Sequence, residues 1–203
     1  MKWVKTAKLD GVSLCMIVKD EENNPAGGIN TFLKHHLPMV DEAIVVDTGS
    51  SDRTVEIAGG YDNVRVLDYP WDGSFSNARN FSLENANYNH ILVLDADERL
   101  QHSGSIKPAL PTYFEKLFGY EFCFINIDQN GVRKRITNHG DIDNYKHRVR
   151  YFMNLPCLRF RGEVHEQLQD IDNVTIHGFI RGHSEVGLIV NHYLPSEQEL
   201  ARK

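Results

Sequence analysis

Residues 90–98 read His90-Ile91-Leu92-Val93-Leu94-Asp95-Ala96-Asp97-Glu98. Four consecutive aliphatic residues of strand length, ending abruptly on carboxylates, describe a strand buried on both faces whose end meets solvent. The same pattern occurs three times upstream. Val12-Ser13-Leu14-Cys15-Met16-Ile17-Val18 runs into Lys19-Asp20-Glu21-Glu22, and Ala43-Ile44-Val45-Val46 runs into Asp47-Thr48-Gly49-Ser50. Val64-Arg65-Val66-Leu67 leads to Asp68. Helical patterns lie between these runs. The first carries Ile29, Phe32, Leu33 and His36; the second carries Val55, Ile57 and Ala58 and closes at Gly59-Gly60, expected in αL. The third spans Asn77 to Ala86, with Ala78, Phe81, Leu83 and Ala86 as its apolar side. Strand–helix alternation at this spacing predicts an α/β fold with a doubly wound, mostly parallel sheet.

Beyond about residue 105 the texture turns β-rich. Pro108 and Pro111 flank a short helical stretch through Phe114 and Leu117, and Glu121–Ile127 reads as a strand. Asn130-Gly131 signals a hairpin into Val132–Ile136. Short strands are expected at 148–152, 158–161, 174–176 and 188–192. Ser196 with Glu199 three residues on is a capping box, so a helix starts near the end of the chain. Such a short helix either docks on the body or belongs to a longer chain. No linker or repeat separates the halves, so 1–203 is expected as one domain, divided into 1–104 and a β-rich C-terminal portion, 105–203.

Composition excludes whole classes. With 203 residues, 41% hydrophobic and 25% charged, the chain is neither disordered nor fibrous. A net charge of −6 argues against a nucleic-acid partner of the basic-patch kind. No apolar run approaches the roughly 20 residues of a transmembrane helix. The charged N-terminus has no apolar h-region behind it, which predicts no secretory signal. Cys15, Cys123 and Cys157 each sit in apolar stretches and read as reduced core residues. A cytoplasmic location is expected.

Ligands of open α/β sheets bind outside the carboxyl ends of the strands. All four ends here are acidic, and so many like charges repel one another without a cation. Mg2+ or Mn2+ with oxygen ligands, bridging to substrate phosphates, resolves that conflict economically. Asp95 and Asp97, spaced by two at a strand end, can turn to one side of the edge; a solvated turn is the bland alternative. Arg79 lies near the start of the third helix, opposes the macrodipole there, and asks for an anionic partner, either a ligand or a surface ion pair. His165 beside Glu166 can supply a metal ligand or a general base, or can be two polar residues on a loop. On local sequence, His192 reads as a half-buried histidine more readily than as a ligand.

Four segments in order resemble the motifs of family 2 glycosyltransferases. They are Ser13–Glu22, Val45–Thr54 (Val45-Val46-Asp47-Thr48-Gly49-Ser50-Ser51-Asp52-Arg53-Thr54), Phe75-Ser76-Asn77-Ala78-Arg79-Asn80, and Leu94-Asp95-Ala96-Asp97-Glu98. Val164-His165-Glu166 and Asn191-His192-Tyr193 resemble later elements of one bacterial-type branch. The resemblance implies a GT-A-like fold and an inverting, metal-dependent transfer from a nucleotide-diphosphate sugar, most often UDP-linked. Residues 1–104 would bind the donor, and 105–203 would face the acceptor, a glycan, lipid-linked or peptide molecule of cell-envelope glycan biosynthesis. Glu21 would shape the nucleotide pocket, Asp47 would bond the base or ribose, and Arg79 would lie near base and phosphates. Asp95 would lie near the ribose or metal, and Asp97 would ligate the cation. Glu166 is implied as the base, with Glu163 and Asp170 as rivals, and His165 and His192 as further metal or phosphate contacts. Peripheral membrane association stays open. The family's usual continuation past such a His-Tyr segment is longer, so a non-catalytic nucleotide-sugar binder or truncated remnant is the alternative. An Asp-x-Asp phosphatase would carry its pair after the first strand, and a nucleotidyltransferase would carry a Gly-rich basic loop there.

Overall fold

The computed structural model describes residues 8–102, 104–106, 119–128, 130–131, 133–134, 147–163, 166–169, 179–181 and 189–193, with the backbone alone at 119–126, 133–134, 147–148, 179–181, 189 and 191–192. The expected helices around 108–117 and after Ser196, the strand at 174–176, and residues His165 and Asp170 lie outside them.

Four strands form a parallel sheet in the order β3-β2-β1-β4: β1 (Leu9–Val18), β2 (Glu42–Asp47), β3 (Val64–Asp68) and β4 (Tyr88–Val93). The chain steps twice to one side of β1, then returns so that β4 falls on the other side. The order therefore reverses between the carboxyl ends of β1 and β4, where an open α/β sheet leaves a ligand crevice. The sheet then continues through β8 (His147–Met153), antiparallel to both β4 and β6 (Gly119–Ile127), then β12 (Ile189–Tyr193), parallel to β6, and ends at antiparallel β5 (Glu98–Leu100). β7 (Arg133–Lys134) returns on β6 through the hairpin expected at Asn130-Gly131, where Gly131 has φ +73°. β11 (Phe179–Arg181) also pairs with β6. β9 (Arg159–Arg161) and β10 (Gln167–Gln169) form a separate antiparallel pair.

The near-continuous apolar runs follow from burial on both faces. Leu14 and Met16 of β1 pack with Ile29, Phe32 and Leu33 of α1 (Gly28–His36) and Ala58 of α2 (Thr54–Ala58). Cys15 of the same strand points the other way, towards Ala78 and Leu83 of α3 (Phe75–Asn85) and Phe160 of β9. Each fully buried aliphatic side chain contributes roughly 1.5–3 kcal/mol of transfer free energy. α3 starts two residues before the expected Asn77 because Ser74 caps it, its Oγ accepting from Asn77 N at 3.3 Å.

One local expectation is corrected. α2 does end at Gly59-Gly60, but Gly59 is right-handed, φ −68° and ψ −9°, and its N–H still donates to Val55 O at 2.9 Å. Two positive-φ glycines instead open α1: its N-cap Gly27 at φ +92° and its first residue Gly28 at φ +79°. At Gly28 a Cβ would stand 2.1 Å from Glu22 O, so only glycine lets the loop after β1 double back beneath α1. Among the described residues no helix is long and apolar enough to cross a membrane.

Candidate functional site

The chain leaves β4 at Val93 and keeps Leu94 buried before turning through Asp95-Ala96-Asp97 into β5. Two bonds close this turn: Glu98 N donates to Asp95 O at 2.9 Å, and Asp95 N donates to Glu98 Oε2 at 2.8 Å. Glu98 is held in turn by Arg150 of β8, whose Nη2 reaches Glu98 Oε1 at 2.6 Å and Asp95 Oδ2 at 3.2 Å. Asp95 Oδ1 accepts from Arg79 Nη2 at 2.8 Å. The other edge of the Arg79 fork, Nε, donates to Glu166 Oε1 at 2.5 Å. Two guanidinium groups thus link three carboxylates from four separate segments.

Burial makes this network consequential. The side chains of Arg79, Arg150 and Glu98 are 7%, 5% and 2% exposed. Burial alone would lower the pKa of Arg79, but Asp95 and Glu166 outweigh it and hold the guanidinium firmly charged. Burial would raise Asp95, yet Arg79 and Arg150 hold it well below the ordinary carboxylate range. Glu98 moves the other way: burial pushes it up to about 7, against Arg150 and with help from the Asp95 charge. Arg79 Nη1 is buried with no hydrogen-bond partner among the described residues. A donor left unpaired in this way typically costs on the order of 1–3 kcal/mol.

The ends of β1 and β2 are knitted together differently. Asp47 is buried and accepts from Ser50 N at 3.1 Å and Ser50 Oγ at 2.5 Å, which fixes the turn after β2. Asp20, at φ +55°, accepts from Ser51 N at 2.6 Å, and that bond is the largest cause of its lowered pKa. Glu21 Oε2 accepts from Asn24 Nδ2 at 2.9 Å, and the same amide donates to Ala96 O at 3.0 Å. Arg99 Nη1 reaches that carbonyl at 2.9 Å, and its Nη2 reaches Ala26 O at 2.8 Å. Asn24 and Arg99 therefore moor the loop after β1 to the Asp95–Asp97 turn, across the crevice between β1 and β4.

These contacts refine the inference from the acidic rim. Asp20, Asp47 and Asp95 accept from amides, hydroxyls or arginines, while Glu98 keeps the charge of Asp95 set against it. Asp95, expected at the ribose or the metal, gives both carboxylate oxygens to arginines. Among the described residues no cluster of three or more His, Cys, Asp or Glu side chains could hold a metal by itself. Asp97 is half-buried on the turn, with its main-chain oxygen taken by Tyr193 N at 3.0 Å. A lone carboxylate on this turn, such as Asp97, would supply one oxygen to a hard cation, whose other oxygens would have to come from a bound diphosphate or water. Strand register puts His192 of β12 opposite Glu98, one residue from Asp97.

Glu166 comes to the β4 end through Arg79, whereas Glu163 is exposed on the preceding loop. Arg150, Asn24 and Arg99 were not singled out from the sequence. For Arg150 a signal existed: it shares strand parity with Phe152, so a cation stands where an apolar core residue is due.

The profile of the glycosyl transferase family 2 matches residues 13–160. A TPR repeat-containing protein of Synechococcus elongatus is 37% identical over 164 residues, which is 81% of this chain and 37% of that protein. The chain thus spans well under half the length of that relative. The crystal structure of GalNAc-T7 with UDP, GalNAc and Mn2+ superposes with a TM-score of 0.57 at 12% identity, over 94% of this chain and 45% of that one, a likeness of fold. S. aureus TarS (residues 1–349) with UDP is 19% identical over 63% of this chain and 38% of its own, with a TM-score of 0.46. With its family motifs in order around the crevice between β1 and β4, the chain belongs to glycosyl transferase family 2 and has the GT-A fold.

Proposed function

We propose that the chain transfers a sugar, with inversion, from a nucleoside-diphosphate donor to an acceptor hydroxyl, and that the donor is a UDP-sugar. The observation that carries this reading is Arg79: a buried guanidinium that joins Asp95, at the carboxyl end of β4, to Glu166 and keeps one donor, Nη1, without a partner among the described residues. Residues 1–104 bind the donor and 105–203 face the acceptor. Glu21 borders the nucleotide, Asp47 bonds base or ribose, and Arg79 faces the diphosphate. Asp97, with His192 beside it in register, holds Mn2+ or Mg2+. When bound, the cation neutralises charge on the departing diphosphate. Asp95 keeps Arg79 and Arg150 in place. Glu166, oriented by Arg79 through Oε1, takes the acceptor's proton on Oε2. As that proton leaves, the acceptor oxygen bonds the anomeric carbon, and the bond to the β-phosphate oxygen breaks, releasing the nucleoside diphosphate. His165 supports this base or the phosphates.

Slow hydrolysis of UDP-glucose or UDP-N-acetylglucosamine by the full chain tests the reading. Glu166→Gln is expected to keep UDP affinity within about twofold and lose turnover by on the order of 100-fold. Retained turnover would move the base to Glu163 or Asp170. UDP binding with no turnover in wild type would make the chain a nucleotide-sugar binder.

A further inference from the structure

A polar cleft at the α3 N-terminus has been given no role above. It has a volume of about 730 Å3 and lies between the start of α3 and β9, lined by Asp72, Asn77, Arg159, Arg161 and Glu163. That volume is in the range of small-molecule sites. Next in the chain to the lining residues Asp72, Ser74 and Ser76, Trp71 and Phe75 are 42% and 39% exposed, ring centroids 4.9 Å apart and tilted by 66°. Two large exposed aromatics side by side mark a contact surface more than chance exposure does.

The walls are fixed. Asp72 Oδ2 accepts from Asn77 Nδ2 at 2.8 Å and from Tyr69 Oη at 2.8 Å, while its Oδ1 accepts from Ser74 N at 3.0 Å. α3 is bonded to the opposite wall four times: Phe75 N to Glu163 O at 3.2 Å, Ser76 Oγ to Gly162 O at 2.5 Å, Asn80 Nδ2 to Phe160 O at 2.9 Å and Phe160 N to Asn80 Oδ1 at 2.8 Å. The cleft is thus built into the frame that also carries the network at the β4 end. Ser76 stands one helical turn from Arg79, and Glu163 three residues before Glu166.

We propose that this cleft binds the glycan acceptor, with a sugar ring stacked on Trp71, Phe75 set edge-on beside it, and the sugar hydroxyls bonded by Asp72, Asn77, Arg161 and Glu163. A pyranose presents a C–H face to an aromatic ring and a rim of paired hydroxyls to carboxylate, amide and guanidinium groups. Both halves of that recognition are present here. The lining carboxylates Asp72 and Glu163 balance Arg159 and Arg161, which suits a neutral sugar better than an anionic one. The assignment to an acceptor rests on the transferase reading; the assignment to a sugar rests on the cleft alone.

The test is an array of printed glycans and peptides, probed with the full chain at saturating UDP and Mn2+, for wild type, Trp71→Ala and Arg161→Ala. UDP affinity is measured by calorimetry on the same samples. Trp71 is exposed, so its replacement should leave the fold and UDP affinity unchanged. The expected result is glycan binding that falls at least tenfold in both variants. For the bound glycan, Trp71 emission in a Trp3→Phe background should change saturably and persist with UDP bound. Absence of any Trp71-dependent glycan binding, preferential binding to peptides, or displacement of the glycan by UDP each overturns the proposal. Trp71-dependent glycan binding without UDP binding would uphold the sugar site and overturn its link to transfer.

Discussion

Arg79 and Glu166 stand 87 residues apart in sequence and meet at 2.5 Å, Nε to Oε1, on the same guanidinium that holds Asp95. This pairing joins the helix after β3, the turn after β4 and the loop before β10 into one charged unit. Its removal has a definite consequence. Arg79→Met leaves Glu166 without its counter-charge and Asp95 with Arg150 alone, and a loss of about 2–3 kcal/mol is expected once the partial exposure of Asp95 and Glu166 is discounted. Arg79→Lys should recover part of that loss but not all, since one ammonium cannot bond both edges of the fork. Urea denaturation of the three proteins gives the values.

Arg150 and Glu98 form the deeper pair. Arg150→Met is expected to be among the most destabilising single changes, because it buries Glu98 beside Asp95 with no cation between them. Arg150→Met with Glu98→Leu should be more stable than Arg150→Met alone. A double-mutant cycle with a coupling of at least about 1 kcal/mol checks this; simple additivity would show that the two residues are not coupled.

His36 sets an acid limit on stability. Burial, and then the neighbouring His35, depress its pKa from 6.5 to about 3. Its Nδ1 lies 2.9 Å from Phe32 O, and Leu100 N donates to its Nε2 at 3.2 Å. The neutral Nδ1–H form satisfies both contacts, and a second proton would set two N–H groups against each other. The unfolded chain therefore binds the extra proton first. The contribution of neutral His36 is present above pH 6.5 and is lost as pH falls through the window from 6.5 towards 3. Between pH 6.5 and 5 the loss amounts to about 2 kcal/mol. The slope of Tm against pH in that window should flatten in His36→Gln.

Gly28 and Gly49 separate strain from collision. Both have positive φ, +79° and +103°, but a Cβ at Gly49 meets nothing within 4 Å while one at Gly28 strikes Glu22 O. Gly49→Ala is expected to cost about 1 kcal/mol and Gly28→Ala at least about twice that. Thermal denaturation distinguishes them.

The parallel half of the fold was legible because local signals and burial agree there. β1, β2 and β4 are buried on both faces, so their runs are apolar throughout, and each ends at a carboxylate that caps or closes a turn. β5, β10 and β11 were not foreseen: each is three residues long, and β5 and β11 exist through pairing with distant segments, β12 and β6, while β10 pairs with the equally short β9. The site divides in the same way. Its carboxylates could be located at strand ends from sequence order. Their partners could not, since Arg150 reaches Asp95 across 55 residues and Arg79 reaches Glu166 across 87. The strand-end carboxylates thus carry arginine, amide and hydroxyl partners that sequence order alone does not reveal.

Calorimetric titration of UDP into the full chain, with Mn2+ and with EDTA, in wild type and in Asp97→Ala, tests the central claim most directly. Saturable binding in Mn2+, weakened at least tenfold by EDTA and by Asp97→Ala, is the result this account requires. Equal, metal-independent affinity in both proteins, or no UDP binding at all, would contradict it.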